Sequence, residues 1–550
     1  MADRTNREVI AQWRDEPAPL LALLHAFHDR DGFISEAVLR DIAVGLRIPL
    51  AELFGTLTFY HHFARETPGQ DAPRVCTGPV CRLQGGLEIL EALKDEGATP
   101  MPCAGRCDDC VPVLKGHQVL VGKQVDTLSV QPTPLPPPHP GDGEECIFAE
   151  IRESERNTLE GYRRTGGYEA LTRALTTLTQ TDVIETLKES QLAGRGGAGF
   201  PTGMKWESVL NAPGEPKTIV CNADEGEPGC FKDRVILDYA PHAVIEGMTL
   251  AAYATGATRG FIYLRYEYPE TLKILERALA EAEAAGLLSE AILGNKHRGE
   301  DFNFHIYIRR GAGAYVCGEE GSLLNSLEGK HPFPRNRPPY PVTHGFENLP
   351  TVVNNVETLA AAVQIVRYGA AWYKNLSYDE NLAGTKIISL SGDIQRPGNY
   401  EVPFGLPLKT LLYEWAGGAP EGREIQVITT AGLSGGFIAE TDFDITIDEP
   451  SFQKVGAMLG AAGIMVFDDT RDMLDVARNA MEFFAEESCG KCFPCRIGTH
   501  RLTELLSEPL QPNSEALILE IGAVMRATSA CGLGTAAPNI TDSLIRILNY

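Results

Sequence analysis

The chain has 550 residues, 43% of them hydrophobic and 22% charged, a length that calls for several domains and a composition that excludes wholesale disorder. Its formal net charge of -25 excludes nucleic acid and anionic membrane as default partners, so a phosphate-bearing ligand must be met by local backbone donors and a few placed cations. Residues 1–17 have neither the basic start nor the apolar core of a secretory signal, and no apolar run approaches the ~18 residues of a membrane span, which predicts a cytoplasmic protein. In a reducing compartment the 13 cysteines read as metal ligands or catalytic thiols rather than disulfides.

In chain order, Leu20, Leu21, Leu23, Leu24 and Phe27, then Val38, Ile42, Leu46 and Leu50, are spaced for one apolar face and predict a helical bundle over 1–72. Residues 73–130 set short strands and a helix at 85–96 around cysteine loops, a compact α/β unit with a thioredoxin-like look. The proline run PTPLPPPHPGDG predicts an extended, semi-rigid linker over 131–145. Strands at 217–221, 260–264 and 303–309 alternate with helices through 146–380, which predicts an α/β domain with a largely parallel sheet. A β-rich stretch occupies 381–455. The last unit, 456–550, opens with strands over 457–467 and continues into helices at 472–484 and 514–527 that bracket the final cysteines. The fold class is therefore multidomain α/β.

Cys489, Cys492 and Cys495 stand in C-x2-C-x2-C, the spacing by which one turn carries three thiolates to three irons of a cubane, and Cys531 supplies a fourth. Structural zinc competes, although it usually takes two separated C-x2-C pairs. Cys76 and Cys81, with Cys103 and Cys107, place four thiols on two loops, enough for a 2Fe-2S rhomb. Zinc competes there too, and Cys110 leaves one ligand assignment open. Gly194, Gly196 and Gly199, with Gly197 among them, form G-x-G-x-x-G, but the segment before them is helical in pattern, against an ordinary dinucleotide fingerprint. The loop still suits phosphate, because glycine lets the backbone approach an anion and Lys205 adds charge.

A second glycine loop, 311–321, holds Tyr315, Gly318, Glu319 and Glu320 between a strand and a helix, a better context for an anion site. Between the loops, a strand ending near Asn222 delivers Asp224, Glu225 and Glu227, carboxylates suited to ribose or flavin-ring donors or, alternatively, to a solvated acidic turn. Cys146, Cys221, Cys230 and Cys317 are isolated and read as buried structural thiols, and the 12 histidines form no ligand-spaced pair.

In order, GRGGAGFPTGMKW, CNADEGEPGCFKDR, GAGAYVCGEE, NNVET and ESCGKCFPC resemble motifs of the NADH-binding flavoprotein subunit of respiratory complex I and its soluble relatives, over residues from about 150 to 550. Residues 1–130 resemble the thioredoxin-like 2Fe-2S subunit that sits beside it. The resemblance implies a β-grasp-like soluble-ligand-binding (SLBB) domain at 385–449 and a C-terminal four-helix 4Fe-4S domain. It also implies FMN carried by Gly194, Arg195, Gly196, Lys205, Asn222, Asp224, Gly318, Glu319, Asn354, Asn355 and Thr358. NADH would then be lined by Phe200, Glu227, Glu320 and the segment from Lys330 to Tyr340, with Glu227 positioning it. No side-chain acid or base is strictly required when a hydride passes to flavin N5. Two departures stand out: Ser208 replaces an aromatic and Tyr340 a phenylalanine of complex I, so adenine stacking is expected to differ.

Fusion of the two modules, and the 21 residues between Cys81 and Cys103, resemble the soluble enzymes. DEGEPG, Ser208 and CGLGTAAPN resemble the diaphorase (beta) subunit of soluble NAD-dependent molybdenum or tungsten formate dehydrogenases. The diaphorase subunit of an NAD-reducing hydrogenase and the NADH module of complex I are the alternatives. The implied partner is the catalytic alpha subunit, since this chain carries no molybdopterin or nickel signature of its own. A zinc-stapled nucleotide-binding scaffold without turnover is the alternative of a different class.

Overall fold

A computed structural model describes residues 4–548 apart from 68, 142, 295, 298–299 and 509. Helices Asn6–Trp13, Pro19–Asp31, Glu36–Leu46 and Leu50–Phe59 form the N-terminal bundle. Thr5 and Glu8 close a capping box on the first helix, and Gly32, in the left-handed region, ends the second. The bundle is not an independent core. Leu20, Leu24, Phe27, Ile42 and Leu57 pack in one cluster with Phe261, Tyr263, Val316 and Leu323 of the following α/β domain.

The small cysteine-bearing unit has the strand order Thr99–Met101, Arg74–Cys76, Pro112–Lys115, Gln118–Val121, the first pair parallel and the others antiparallel. The expected helix over 85–96 is split into Gly86–Ala92 and the 3-10 turn Lys94–Glu96, because Leu93 leaves helical geometry at ψ 8°. Residues 131–139 of the proline-rich segment carry no helix or strand, and side chains of the following domain hold them in place. Arg152 donates to the Pro136 and Pro137 carbonyls at 3.1 and 2.6 Å, and the Thr133 hydroxyl donates to Asp238 at 2.5 Å.

The central sheet has the order Thr351–Asn355, Thr218–Ala223, Arg259–Leu264, His305–Arg310, all parallel. Helices cover it, so its strands read as apolar runs. Helix Pro241–Thr255 is buried along its whole length and crosses Val356–Tyr368 at Gly247, where an added methyl would collide with the Leu359 carbonyl. Gly247→Ala is therefore expected to destabilise the domain by about 1–3 kcal/mol, the usual effect of overpacking. A lowered denaturant midpoint at unchanged m-value would register it.

A second sheet has the order Gly398–Pro403, Thr385–Gly392, Gly463–Asp468, Ile425–Thr429, Phe437–Ala439. Its third strand corrects the sequence reading. Gly463–Asp468, assigned to the unit beginning at 456, pairs in parallel with Thr385–Gly392 and antiparallel with Ile425–Thr429, so this sheet reaches past residue 455. A wholly buried strand is an apolar run without alternation and carries no sign of which sheet it joins. Helices Met473–Glu486, Phe493–Leu506, Pro512–Thr528 and Pro538–Leu548 complete the chain. Among the described residues no helix is long and apolar enough to cross a membrane.

Candidate active site and cysteine cages

Parallel pairing of Thr218–Ala223 with Thr351–Asn355 sets Asn222 beside Asn355 and Cys221 beside Asn354. The glycine loop at 194–199 meets these strand ends and runs on into helix Thr202–Asn211. Arg195 N donates to Thr358 Oγ1 at 2.9 Å, Lys205 Nζ to the Val353 carbonyl at 3.0 Å, Trp206 Nε1 to Asn354 Oδ1 at 2.8 Å, and Asn222 Nδ2 to the Gly318 carbonyl at 2.9 Å. These bonds bring the two glycine loops and the acidic strand end close together.

A Cβ on Gly196 would press on the Asn355 side chain at 3.2 Å, and one on Gly318 would lie 3.4 Å from the Asp224 carbonyl, so glycine keeps this cradle open. Gly197 takes a φ of 120°, which side-chain-bearing residues avoid. Asp224 Oδ2 and Thr202 Oγ1 are buried and, among the described residues, have no hydrogen-bond partner. Burial pushes the Asp224 carboxyl up to about 8, against the pull of Arg265. A buried carboxyl oxygen without a partner calls for one, and with the glycine backbone and Lys205 nearby the residues present fit a polar, phosphate-bearing group.

Phe200 and Tyr340 are 48% and 54% exposed. Lys330 pairs with Glu328 at 2.6 Å, whereas Glu320 lies 2.9 Å from Arg337 and 3.6 Å from Lys205. Ser208 turns its hydroxyl back to the Met204 carbonyl at 2.8 Å and offers no stacking surface. Glu319 caps its helix by accepting from Ser322 N at 2.8 Å. Glu225 accepts from Asp233 N at 3.0 Å and from the Tyr268 hydroxyl at 3.1 Å, and burial pushes its carboxyl up to about 7.

Glu227 is fully engaged within the chain. Its carboxylate accepts from Leu433 N at 2.8 Å, Ser434 N at 3.1 Å, Ser434 Oγ at 2.9 Å and the Tyr315 hydroxyl, tying the pocket to the second sheet's loop. Sequence reasoning also missed a buried charged group behind the cradle. Lys232 Nζ lies 2.6 Å from Asp233 and 3.0 Å from Glu357, and Lys386 Nζ lies 3.3 Å from Glu357 and donates to the Arg195 carbonyl at 2.7 Å. Its only sequence signal was charge set inside apolar stretches such as TKIISLSG.

Cys76, Cys81, Cys103 and Cys107 are buried, and their thiols form a contiguous cluster: Cys76 touches Cys81 and Cys103, and Cys103 touches Cys107. Cys110 also touches Cys81, and its thiol donates to the Cys107 carbonyl at 3.4 Å. Four sulfurs on adjacent loops fit a 2Fe-2S centre, two to each iron. Cys489, Cys492, Cys495 and Cys531 line one small cavity together with Val316 and Leu533. Cys492 and Cys531 stand directly before helices, and the Leu533 and Gly534 N–H groups bond the Cys531 sulfur. Burial pushes Cys495 up to about 12 and Cys531 up to about 11, and thiols that ligate a metal give up their protons to it. That donor set fits a 4Fe-4S cluster. The turn Tyr315–Gly318 is a common wall, with Gly318 beside Asn222 and Asp224 and Val316 in the cysteine cavity. Cys146, Cys221, Cys230 and Cys317 are buried.

A glycine-cradled pocket flanked by two cysteine cages defines an electron-transfer protein that handles a phosphate-bearing redox group. Four family descriptions match in chain order: thioredoxin-like 2Fe-2S ferredoxin at 6–109, Nuo51 FMN-binding domain at 187–364, SLBB domain at 387–438, and NADH-ubiquinone oxidoreductase-F iron-sulfur binding region at 475–548. The chain belongs to the NADH-ubiquinone oxidoreductase-F family and is an FMN- and iron-sulfur-dependent NADH dehydrogenase subunit. It is 46% identical over 355 residues to an F-type NADH-quinone oxidoreductase subunit of Rhizobium meliloti (strain 1021), covering 64% of this chain and 83% of that protein. Over 561 residues it is 34% identical to the NAD-reducing hydrogenase HoxS subunit alpha of Cupriavidus necator, covering 96% of this chain and 90% of that protein. A crystal structure of an NAD+-reducing NiFe-hydrogenase in the H2-reduced state aligns with a TM-score of 0.79 at 30% identity, over 97% of this chain and 92% of that one.

Proposed function

We propose that this chain is the NADH-reactive diaphorase subunit of a multi-subunit enzyme whose catalytic partner oxidises formate at a molybdenum or tungsten centre. The turn Tyr315–Gly318 carries the diaphorase reading, because it borders both the Asp224 pocket and the four-cysteine cavity. FMN held at this site would supply hydride chemistry with NADH, and iron-sulfur centres held by the two cysteine sets would supply one-electron transfer. The chain's own task is binding and orientation. Gly194, Gly196, Gly197 and Gly199 admit the flavin phosphate to backbone donors, and Lys205 adds a cation. Asn222, Asp224, Asn354, Asn355 and Thr358 fix the rest of the flavin, with Asp224 Oδ2 as a free acceptor. Phe200 and Tyr340 present rings to NADH at the open side, with Glu320 between its two cations. Glu227 acts from behind by fixing Tyr315 and the Leu433–Ser434 backbone.

The formate partner is supported by the likeness of DEGEPG, Ser208 and CGLGTAAPN to the beta subunit of such dehydrogenases. A hydrogenase partner is the second reading, favoured by the end-to-end likeness to the HoxS subunit alpha. Anaerobic purification with any bound partner tests both. About six irons and one flavin per chain, with rapid NADH-dependent dye reduction, are expected. Zinc without flavin or turnover would overturn the diaphorase reading. NAD reduction by H2 but not by formate would overturn the formate partner alone.

A further inference from the structure

Two buried arginines of the flavin-binding domain grip the loop that bears Cys103 and Cys107. Arg265 follows strand Arg259–Leu264. Its Nη2 donates to the Cys103 carbonyl at 2.6 Å, its Nη1 to the Glu225 carbonyl, and its Nε to Glu267 Oε2 at 3.1 Å. Arg234, in helix Lys232–Tyr239, donates through Nε to the Gly105 carbonyl at 3.1 Å and pairs with Asp108 at 2.7 Å. Gly105 sits in a socket that admits no side chain: a Cβ there would run into the Tyr268 hydroxyl and approach Arg265 Nη1 at 3.0 Å. A single guanidinium thus joins the carbonyl of a cluster-bearing cysteine to the carbonyl of Glu225, the neighbour of Asp224.

Reduction of a centre held by four thiolates adds one negative charge without breaking or forming a bond. In a water-poor interior a fixed cation beside that centre is weakly screened and favours the reduced form. Hydrogen bonds and net charge in the surroundings set such potentials. Arg265 and Glu267 are both nearly inaccessible and lie 3.0 Å apart, so the anion opposes the cation's effect. We propose that Arg265 is a positioning residue that ties the Cys103 loop to the Asp224–Glu225 segment and raises the reduction potential of the 2Fe-2S centre, with Glu267 holding that rise in check. The inference rests on the assignment of Cys76, Cys81, Cys103 and Cys107 to that centre.

The test is an EPR-monitored redox titration of the fully loaded protein, with the 4Fe-4S signal of the same sample as internal reference. Arg265→Met is expected to move the 2Fe-2S midpoint to lower potential and to cut the fraction of that centre reduced by excess NADH several-fold. Glu267→Gln is expected to move the midpoint the other way, while the reference signal keeps its midpoint in both. Opposite shifts from neighbouring residues are not what loosened packing produces. Shifts of the same sign, or none, would overturn the proposal. Should Arg265→Met lose the centre, Glu267→Gln decides: a raised midpoint supports the proposal and an unchanged or lowered one overturns it. A parent protein with no 2Fe-2S signal would overturn the ligand assignment instead, and the proposal with it, so the two failures are told apart.

Discussion

Glu357→Ala is expected to destabilise the folded protein by about 3–5 kcal/mol, the range for removing one partner of a buried ion pair. Glu357 is 1% exposed and opens helix Val356–Tyr368. Its carboxylate lies 3.0 Å from Lys232 Nζ and 3.3 Å from Lys386 Nζ and accepts from Ile387 N at 3.1 Å. Burial pushes its carboxyl up, but the ammonium groups of Lys386 and Lys232 outweigh burial and hold it below the ordinary range. Lys386 is pulled down to about 8, because burial works against its charge more strongly than Glu357 supports it. Without Glu357, Lys232 keeps Asp233 and the nearby Glu225, whereas the Lys386 ammonium keeps only the Arg195 carbonyl among the described residues.

The same variant is expected to bind flavin more weakly. Lys386 holds the Arg195 carbonyl, and Asn355 holds Asp233 at 2.6 Å, so the network sets both the glycine loop and the 354–358 segment. Denaturant unfolding and flavin release, followed on one sample, read the two effects together. Pairing Glu357→Leu with Lys386→Met removes an anion with a cation and is expected to recover part of the lost stability. A single variant within ~1 kcal/mol of the parent would show that the network does not hold the fold together.

What the sequence made legible was local. C-x2-C-x2-C declares itself because the three ligands share one turn, and strand–helix alternation over 146–380 announces a parallel sheet. Spacing alone reached as far as phosphate cradles, whereas the detailed flavin list came from the family resemblance. What stayed hidden depends on segments far apart in the chain. Nothing near Glu227 points to Leu433 and Ser434, and nothing near Arg265 points to Cys103. Buried charges find partners through tertiary placement, which leaves no periodicity to read. Gly463–Asp468 and the core shared by the bundle and the central domain escaped for the same reason, since apolar residues do not name the surface they will cover.

Flavin-free Asp224→Asn protein is expected to be more stable than flavin-free parent protein, by a margin that grows with pH. The Asp224 carboxyl sits at about 8 in the folded chain against an ordinary 3.8, raised by burial and by Glu267 and Glu487 against the opposing pull of Arg265. Below pH 3.8 both states hold the proton and the substitution gains nothing electrostatically. As pH climbs toward 8, the unfolded chain releases its proton while the folded chain retains it, so the unfolded state is progressively favoured. Asparagine escapes this penalty, and above that range its advantage amounts to a few kcal/mol. Thermal melts of both proteins at pH 5 and pH 8 measure the margin, and a gap that does not widen would show that the carboxyl is not held protonated. Flavin affinity moves the other way. The ionised carboxyl is the acceptor proposed for the bound flavin and the amide keeps only one accepting oxygen, so the substitution is expected to weaken binding by about 1–3 kcal/mol, roughly fivefold to 150-fold in dissociation constant. A site that destabilises its own empty state in order to hold a ligand shows this pair of opposed shifts, whereas a carboxylate of purely structural use would lose stability on substitution and leave flavin titrations unchanged.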